Sequence, residues 1–350
     1  MPTDRPLTAT VVICAYTGER WELLTRAAAS VADQTTHPIE LVLCINHNRG
    51  LYERVQHWVD EDGIEAPFGI TVVENRFPGR LGSARNSAVE IAKGDVIAFL
   101  DDDAWAQPDW LETLLRVFAE DPAVVVAGGR PVPDYGTPPP PWFPEEFNWV
   151  FGCHYRGLPE RRAPVRHLIG ASMAARSDLL RDIGGFHSDN HDDMDLSHRS
   201  RRARPGTEVT YEPAAVVHHY VGPERLTWSY FWRRCFSVNV GKVQAFADMG
   251  EAGNLAAEVQ FGLTVLGRRI PRHLLAVLRG DLWGPVRATA ILAGLGLGAG
   301  GSVVGKLRLH FRPGQPMLTQ GLPVAGAAEE FAGQCSPTWW PTSDAEDGLC

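Results

Sequence analysis

Three consecutive carboxylates, Asp101-Asp102-Asp103, stand directly after the apolar run Val96 to Leu100. Like charges this close repel, and a buried set needs a cation to neutralise it. Carboxylate oxygens suit a hard divalent ion, Mg2+ or Mn2+, and such an ion would bridge a diphosphate. A second acidic set, Asp192-Asp193-Met194-Asp195, follows later in the chain. One set for a metal and one for a base is the pairing that transfer to a hydroxyl needs, because a carboxylate must receive the hydroxyl proton. His219 is a third candidate, as a nitrogen ligand to the same metal; His218 is its rival on the opposite face of one strand. Arg85 suits a phosphate or nucleobase contact.

Each group also has a plainer reading. The triple aspartate could be an acidic cluster ahead of a helix beginning between Trp105 and Trp110. Asp192 or Asp193 could be a helix N-cap, with Asp195 paired to Arg199 four residues on. A lone histidine is more often hydrogen-bonded for structure, and Arg85 could lie on the surface. The tryptophans, 11 in all, could line a sugar site or simply pack in the core.

The elements that must position these groups alternate between strand and helix. Residues 10–15, 39–45, 70–74 and 95–100 are apolar runs of strand length. Residues 19–34, 51–62 and 82–92 carry helical spacing between them. That alternation predicts an α/β fold, a Rossmann-like, mostly parallel sheet with helices on both faces. Ligands of such sheets bind beyond the carboxyl ends of the strands, where the triple aspartate falls. An amphipathic helix is expected over 109–120 and a strand over 123–127. A Pro-rich loop, with Pro138-Pro139-Pro140-Pro141 at its centre, and an aromatic stretch from Trp142 to Phe151 come next. A helix is expected from about Asp193 to Arg202 and a strand from Glu212 to Val221. In that strand Ala215, Val217 and His219 share one face.

The balance of charge narrows the function. A formal net charge of -9 argues against a nucleic-acid binder. Cysteines 14, 44, 153, 235, 335 and 350 form no C-x-x-C pair. Cys14 and Cys44, inside strand-like runs, read as buried thiols, and the scatter fits a reducing, cytoplasmic compartment. Met1 to Thr10 has no apolar leader.

The C-terminal third is helical, basic and apolar. Arg268, Arg269, Arg272, Arg279, Arg287, Lys306, Arg308 and Arg312 face a single acid, Asp281. Within it, residues 288–305 carry no charge and reach the lower limit of a membrane span, but their glycines weaken a helix in water. The preferred reading is a lipid-surface or loosely membrane-inserted helical region held by the flanking arginines; a single span and a buried soluble helix are the alternatives. Gly296 to Gly301 matches G-x-G-x-x-G but follows no strand, so close helix packing is expected there rather than a dinucleotide site. Three segments are expected: a transferase domain over 1–245, a helical extension over 246–312, and an irregular tail over 313–350.

Several segments, in this order, resemble the family 2 glycosyltransferases, which have the GT-A fold. They are Val11 to Tyr16, Ser83-Ala84-Arg85-Asn86, Gly94 to Asp103, Ile169 to Met173, Gly184-Gly185-Phe186, Asp192 to Leu196, and Pro213 to His219. The resemblance covers about residues 8–245. It implies an inverting transfer from a nucleoside diphosphate sugar, a UDP-sugar by preference, in one displacement. It places Ala15, Tyr16 and Glu19 at the nucleobase edge, with Asn46 where the family usually has aspartate. It also implies that Asp101 and Asp102 lie on the nucleotide side, that Asp103 and His219 hold the metal, and that Asp193, preceded by Asp192, is the base. The Q-x-x-R-W signature of processive synthases is absent, which favours transfer of a single sugar. The stretches Trp142 to Gly157 and Arg225 to Lys242 resemble an actinobacterial and archaeal subgroup linked to polyprenyl phosphates or cell-surface glycans. A lipid-linked hydroxyl acceptor and peripheral contact with the inner face of the membrane follow from that subgroup. Two other classes stay open at this level: a nucleotidyltransferase, and a non-catalytic sugar- or lipid-binding protein on the same fold.

Overall fold

Strands buried on both faces must be apolar throughout, and the first strands obey this rule. The computed structural model describes residues 5–61, 63–187, 191–248 and 261–311. It begins with β1 (Ala9–Ala15), α1 (Trp21–Ala32), β2 (Glu40–Ile45), α2 (Arg49–Glu61), β3 (Gly69–Glu74), α3 (Leu81–Ile91) and β4 (Val96–Asp101). β3, β2, β1 and β4 lie side by side in parallel. Val11 and Ile13 point to one face, packing with α1, α2 and the later helix α4 (Trp110–Glu120). Val12 points to the other, with α3 and the helices α5 (Ser177–Asp182) and α6 (Asp192–Ala203). The expected α/β sandwich is therefore present, with helices on both faces.

Beyond β4 the sheet is mixed rather than parallel. It continues through β5 (Ala104–Ala106), β6 (Val124–Tyr135), β7 (Ala163–Pro164), β8 (Ser172–Arg176) and β9 (Glu208–Val221). β8 runs antiparallel to both β4 and β6, and β9 pairs β5 antiparallel and β6 parallel. β6 extends past the strand expected over 123–127, through Pro131 and Pro133. Its pairing with β8 ends at Gly128, so those prolines lack an N–H only where β9 is the one neighbouring strand.

The C-terminal helices are α7 (Trp228–Asp248), α8 (Ile270–Ala276) and α9 (Gly284–Phe311). They do not stand apart. Phe231 and Cys235 of α7 and Ala290 and Ile291 of α9 share one apolar cluster with Trp142, Phe147, Phe151 and Cys153. α7 runs across residue 245, the expected end of the transferase domain. The expected tail over 313–350 lies outside the described residues.

Gly296 to Gly301 falls within α9, and two of its glycines, Gly298 and Gly301, pack closely on α7. A Cβ on Gly301 would stand 2.4 Å from the Phe236 carbonyl oxygen of α7, and one on Gly305 2.9 Å from Val243 Cβ. Nothing stands within 4 Å of a Cβ on Gly296. Gly301→Ala is accordingly expected to cost about 1–3 kcal/mol by overpacking. Gly296→Ala is expected to stabilise by about 0.5–1 kcal/mol, since it relieves a helical glycine without a clash. Urea unfolding of the two variants reads the contrast.

Candidate active site

The turn after β4 brings the triple aspartate to the sheet edge. Asp101 is the last residue of β4 and pairs in register with Cys14 of β1. Asp102 and Asp103 make the turn into β5, and the Tyr220 N–H donates to the Asp103 carbonyl at 2.8 Å. A short strand thus follows the triplet, and α4 begins only at Trp110, with Asp109 before it. The acids therefore do not cap that helix.

Ala104 pairs with His219, so β9 delivers the imidazole to the same place. Ala215, Val217, His219 and Val221 are all buried on one face of β9, as their spacing predicts. His219 Nε2 lies 3.0 Å from Asp103 Oδ1. His218 faces the other way and stacks on Trp105 at 5.7 Å between centroids.

Cations crowd the triplet. Arg20 Nη1 is 3.2 Å from both Asp102 Oδ1 and Asp103 Oδ2, and Arg225 Nη2 is 3.5 Å from Asp103 Oδ2. Burial alone would raise the Asp103 carboxyl. His219, then Arg20 and Arg225, more than offset it and hold it well below its usual range. Burial opposes the His219 imidazolium, but Asp103 outweighs it and holds the proton well above the ordinary histidine range. Asp102 differs: burial, then the Asp103 charge, pushes its carboxyl up to about 7. Its Oδ2 is buried with no hydrogen-bond partner among the described residues.

These residues fit a divalent cation. One ligand atom each from Asp101, Asp103 and His219 lie within 4.8 Å of one another. Two carboxylates and an imidazole that gives up its Nε2 proton on binding form an acceptable donor set for Mn2+ or Mg2+. The buried Asp102 Oδ2, with no partner among the described residues, is a further acceptor turned into the same cluster.

Arg85 joins the two acidic sets. It sits early in α3, is only 2% exposed, and packs against Phe99 and Phe186. Its Nη2 donates to Asp101 Oδ1 at 2.9 Å and to the Gly170 carbonyl at 3.2 Å, and its Nη1 pairs with Asp192. The guanidinium is therefore committed to carboxylates and is not a surface group. Asp192 and Asp193 occupy the first turn of α6, where the helix dipole favours negative charge. The residue before the helix is His191, so neither aspartate is the N-cap. Burial first, with the Asp193 and Asp101 charges, pushes Asp192 up to about 7 against the pull of Arg85. Burial also raises Asp193, which is partly exposed and, among the described residues, accepts the Met194 N–H at 2.7 Å. Asp195 pairs with Arg199 at 3.1 Å, the structural role its spacing allows.

The nucleobase-edge candidates lie at the carboxyl ends of the neighbouring strands. Ala15 ends β1 and is buried, whereas Tyr16 and Glu19 are exposed beyond it. Asn46 follows β2 and accepts from Asn75 Nδ2 at 2.7 Å. Cys44 is fully buried; Cys14, its register partner, is only partly so, because it opens on the site beside Asp101.

Four contributors had no site role in the sequence reading: Arg20, Arg225, Asn75 and Cys153. Asn75 is a buried hub that bonds Asn46, Ser83 and Ser87. Cys153 Sγ lies 3.4 Å from His219 Nδ1 and ties the aromatic segment to the site. Arg225 and Cys153 carried a signal only as members of the stretches Arg225 to Lys242 and Trp142 to Gly157. Asn86, by contrast, holds the scaffold: it exchanges bonds of 2.8 and 2.7 Å with the Phe186 backbone. Gly184 and Gly185, both at positive φ, turn the chain there.

The sequence model of glycosyl transferase family 2 matches residues 10–184. Glucosyl-dolichyl phosphate glucuronosyltransferase of Haloferax volcanii is 33% identical over 234 residues, which cover 65% of this chain and 73% of that protein. Pre-mycofactocin glycosyltransferase of Mycobacterium tuberculosis is 29% identical over 168 residues, 45% of this chain and 34% of its own length. Among solved structures, a mannosyltransferase from Pyrobaculum calidifontis in complex with GDP-Man and Mn2+ superposes with a TM-score of 0.53 at 21% identity. That superposition covers 89% of this chain and 83% of that one, and shows a shared fold. The family match over half the chain, on a GT-A sheet whose strand ends gather the acids described above, makes this glycosyltransferase a member of glycosyl transferase family 2.

Proposed function

We propose that the protein transfers one sugar, with inversion, from a nucleoside diphosphate sugar to a hydroxyl of a lipid-linked acceptor. The grouping of Asp101, Asp103 and His219 carries this reading. Those three would hold Mn2+ or Mg2+, whose charge would offset that of the leaving diphosphate. Arg20 and Arg225 stand beside the same carboxylates and add positive charge there. Ala15, Tyr16, Glu19 and Asn46 would line the base, uracil by preference. The bond from the anomeric carbon to the diphosphate breaks, the acceptor oxygen bonds to that carbon, and the acceptor proton passes to a carboxylate.

Asp193 is the better base of the two aspartates. Asp192 is held by Arg85, whereas Asp193 is partly exposed and lies outside that ion pair; burial raises the pKa of both, so access decides between them. The relative from Haloferax volcanii is named for glucuronosyl transfer to glucosyl-dolichyl phosphate, which supports a lipid-linked acceptor here. The work would be done at the cytoplasmic face of the membrane, in keeping with unpaired cysteines 14, 44, 153 and 235.

The test screens UDP-, GDP- and dTDP-sugars with and without Mn2+ by thermal shift, then identifies the released nucleotide. Metal-dependent stabilisation and release of a nucleoside diphosphate are expected; release of pyrophosphate would instead indicate nucleotidyl transfer. Asp193→Asn should keep the stabilisation and lower kcat by about 10²–10⁴-fold. Because burial raises the Asp193 pKa, the acid limb of wild-type kcat should lie above the ordinary carboxylate range. Unchanged turnover in Asp193→Asn would remove it as the base.

A further inference from the structure

The segment from Leu266 to Trp283 is fastened on one side only. Val265 is buried in the cluster shared with Phe147 and Cys153. His273 Nε2 lies 3.3 Å from Glu146 Oε2, and Arg287 Nη1 donates to the Pro141 carbonyl at 2.8 Å. Away from these anchors the segment exposes Leu266, Leu274, Leu275, Leu278, Leu282 and Trp283. Leu278 is 83% exposed and Leu282 75%. Single exposed leucines are ordinary, but a run of them on one short segment marks a binding surface.

The charges beside this surface have one sign. Arg268, Arg272 and Arg279 are exposed, and they form no ion pair with any described residue. Asp281, the lone acid in 261–312, is taken by Arg287. A second copy of the chain would set arginine against arginine, which is unfavourable. Anionic headgroups over acyl chains match both features: leucines enter the boundary, arginines meet phosphate, and Trp283 suits the interface between them.

α9 is long and apolar enough to cross a bilayer, with a mean hydropathy of 1.5 over its best window. One of its faces, however, is closed against α7 at Gly298, Gly301 and Gly305. Leu292, Val303, Leu307 and Phe311 are left exposed. Its neighbour α7 carries Arg233, Arg234 and Lys242, and charges beside an apolar helix oppose its passage through hydrocarbon.

We infer that residues 266–283, continued by the exposed face of α9, dock the enzyme on an anionic lipid surface without crossing it. The docking segment is anchored on residues 141–153, which also supply Cys153 behind His219. The inference rests on the proposed lipid-linked acceptor for its purpose only; the binding itself needs neither donor nor acceptor.

The full chain is sedimented with vesicles of phosphatidylcholine alone and of an equal mixture of phosphatidylcholine and phosphatidylglycerol, both free of polyprenyl lipids. At least about tenfold tighter binding to the mixture is expected. Leu275→Gln, Leu278→Gln and Leu282→Gln together should weaken binding to the mixture by about tenfold or more. Arg268→Gln, Arg272→Gln and Arg279→Gln together should abolish the preference for the mixture. Unchanged donor-induced thermal stabilisation verifies that both variants are folded. Three outcomes overturn the inference: wild type left in the supernatant with both vesicles, a leucine variant that sediments like wild type, or a wild-type dimer dissociated by the leucine substitutions. Vesicle binding without transfer to any lipid-linked acceptor would refute the acceptor proposal and leave the docking surface standing.

Discussion

Asp103→Ala is expected to lower kcat/KM by about 10³-fold and to abolish stabilisation of the donor complex by Mn2+. The reason is where charge converges. His219, Arg20 and Arg225 all approach the Asp103 carboxylate, at 3.0, 3.2 and 3.5 Å. Without it, two arginines and an imidazole face one another around Asp101 and Asp102. His219 then loses the partner that keeps its proton. A centre suited to a divalent cation becomes one that repels it. Asp103→Asn keeps the shape and removes the charge, so an equal loss there assigns the effect to charge. Activity across a Mn2+ titration, with thermal shift on the same samples, is the measurement. Full metal-dependent activity in Asp103→Ala would overturn Asp103 as a ligand.

How much of this was legible in the sequence depends on the range of the interaction. β1, β2 and β4 were readable because a strand buried on both faces leaves an uninterrupted apolar run. The triple aspartate was readable because three acids at the end of such a run have no ordinary core role. The choice of His219 over His218 followed from strand alternation, which needs only local geometry. Other features had no local trace. Arg20 and Arg225 reach the Asp103 carboxylate from widely separated parts of the chain, and nothing beside either in sequence points to that carboxylate. Arg85 read as a ligand contact or a surface group, since nothing nearby in sequence shows that Asp101 and Asp192 flank it. The extension of β6 past residue 127 had no local trace, because its pairing there is with β9, distant in sequence. The aromatic stretch from Trp142 to Phe151 is apolar without periodicity. Its partners are α7 and α9, and Trp142 stacks on Trp228 at 3.7 Å.

The role of Arg85 leads to the second large effect. Arg85→Met is expected to destabilise the protein by about 3–5 kcal/mol, read by urea unfolding, and to remove transfer activity. The guanidinium is buried, and burial works against its charge; Asp192, then Asp101, more than offset that penalty. Methionine fills similar space but leaves the two carboxylates buried near Asp193 with no cation between them. Arg85→Lys should not restore stability, because one ammonium cannot present the fork that serves Asp101, Asp192 and the Gly170 carbonyl together. The pH dependence has a definite sign. Asp192 already titrates near about 7 beside Arg85, and removing the cation raises its pKa further. Below that pH Asp192 is protonated in both folded proteins, and its share of the deficit is small. The share grows as pH rises through about 7, where wild-type Asp192 ionises against Arg85 and the variant cannot. A deficit independent of pH from 5 to 8 (roughly the span over which such a shift acts) would mean that Arg85 stabilises through Asp101, the Gly170 carbonyl and its packing on Phe99 and Phe186, not through the Asp192 charge. In that case Arg85 would not couple the two acidic sets, and the metal-site acids and the proposed base would be held in place independently.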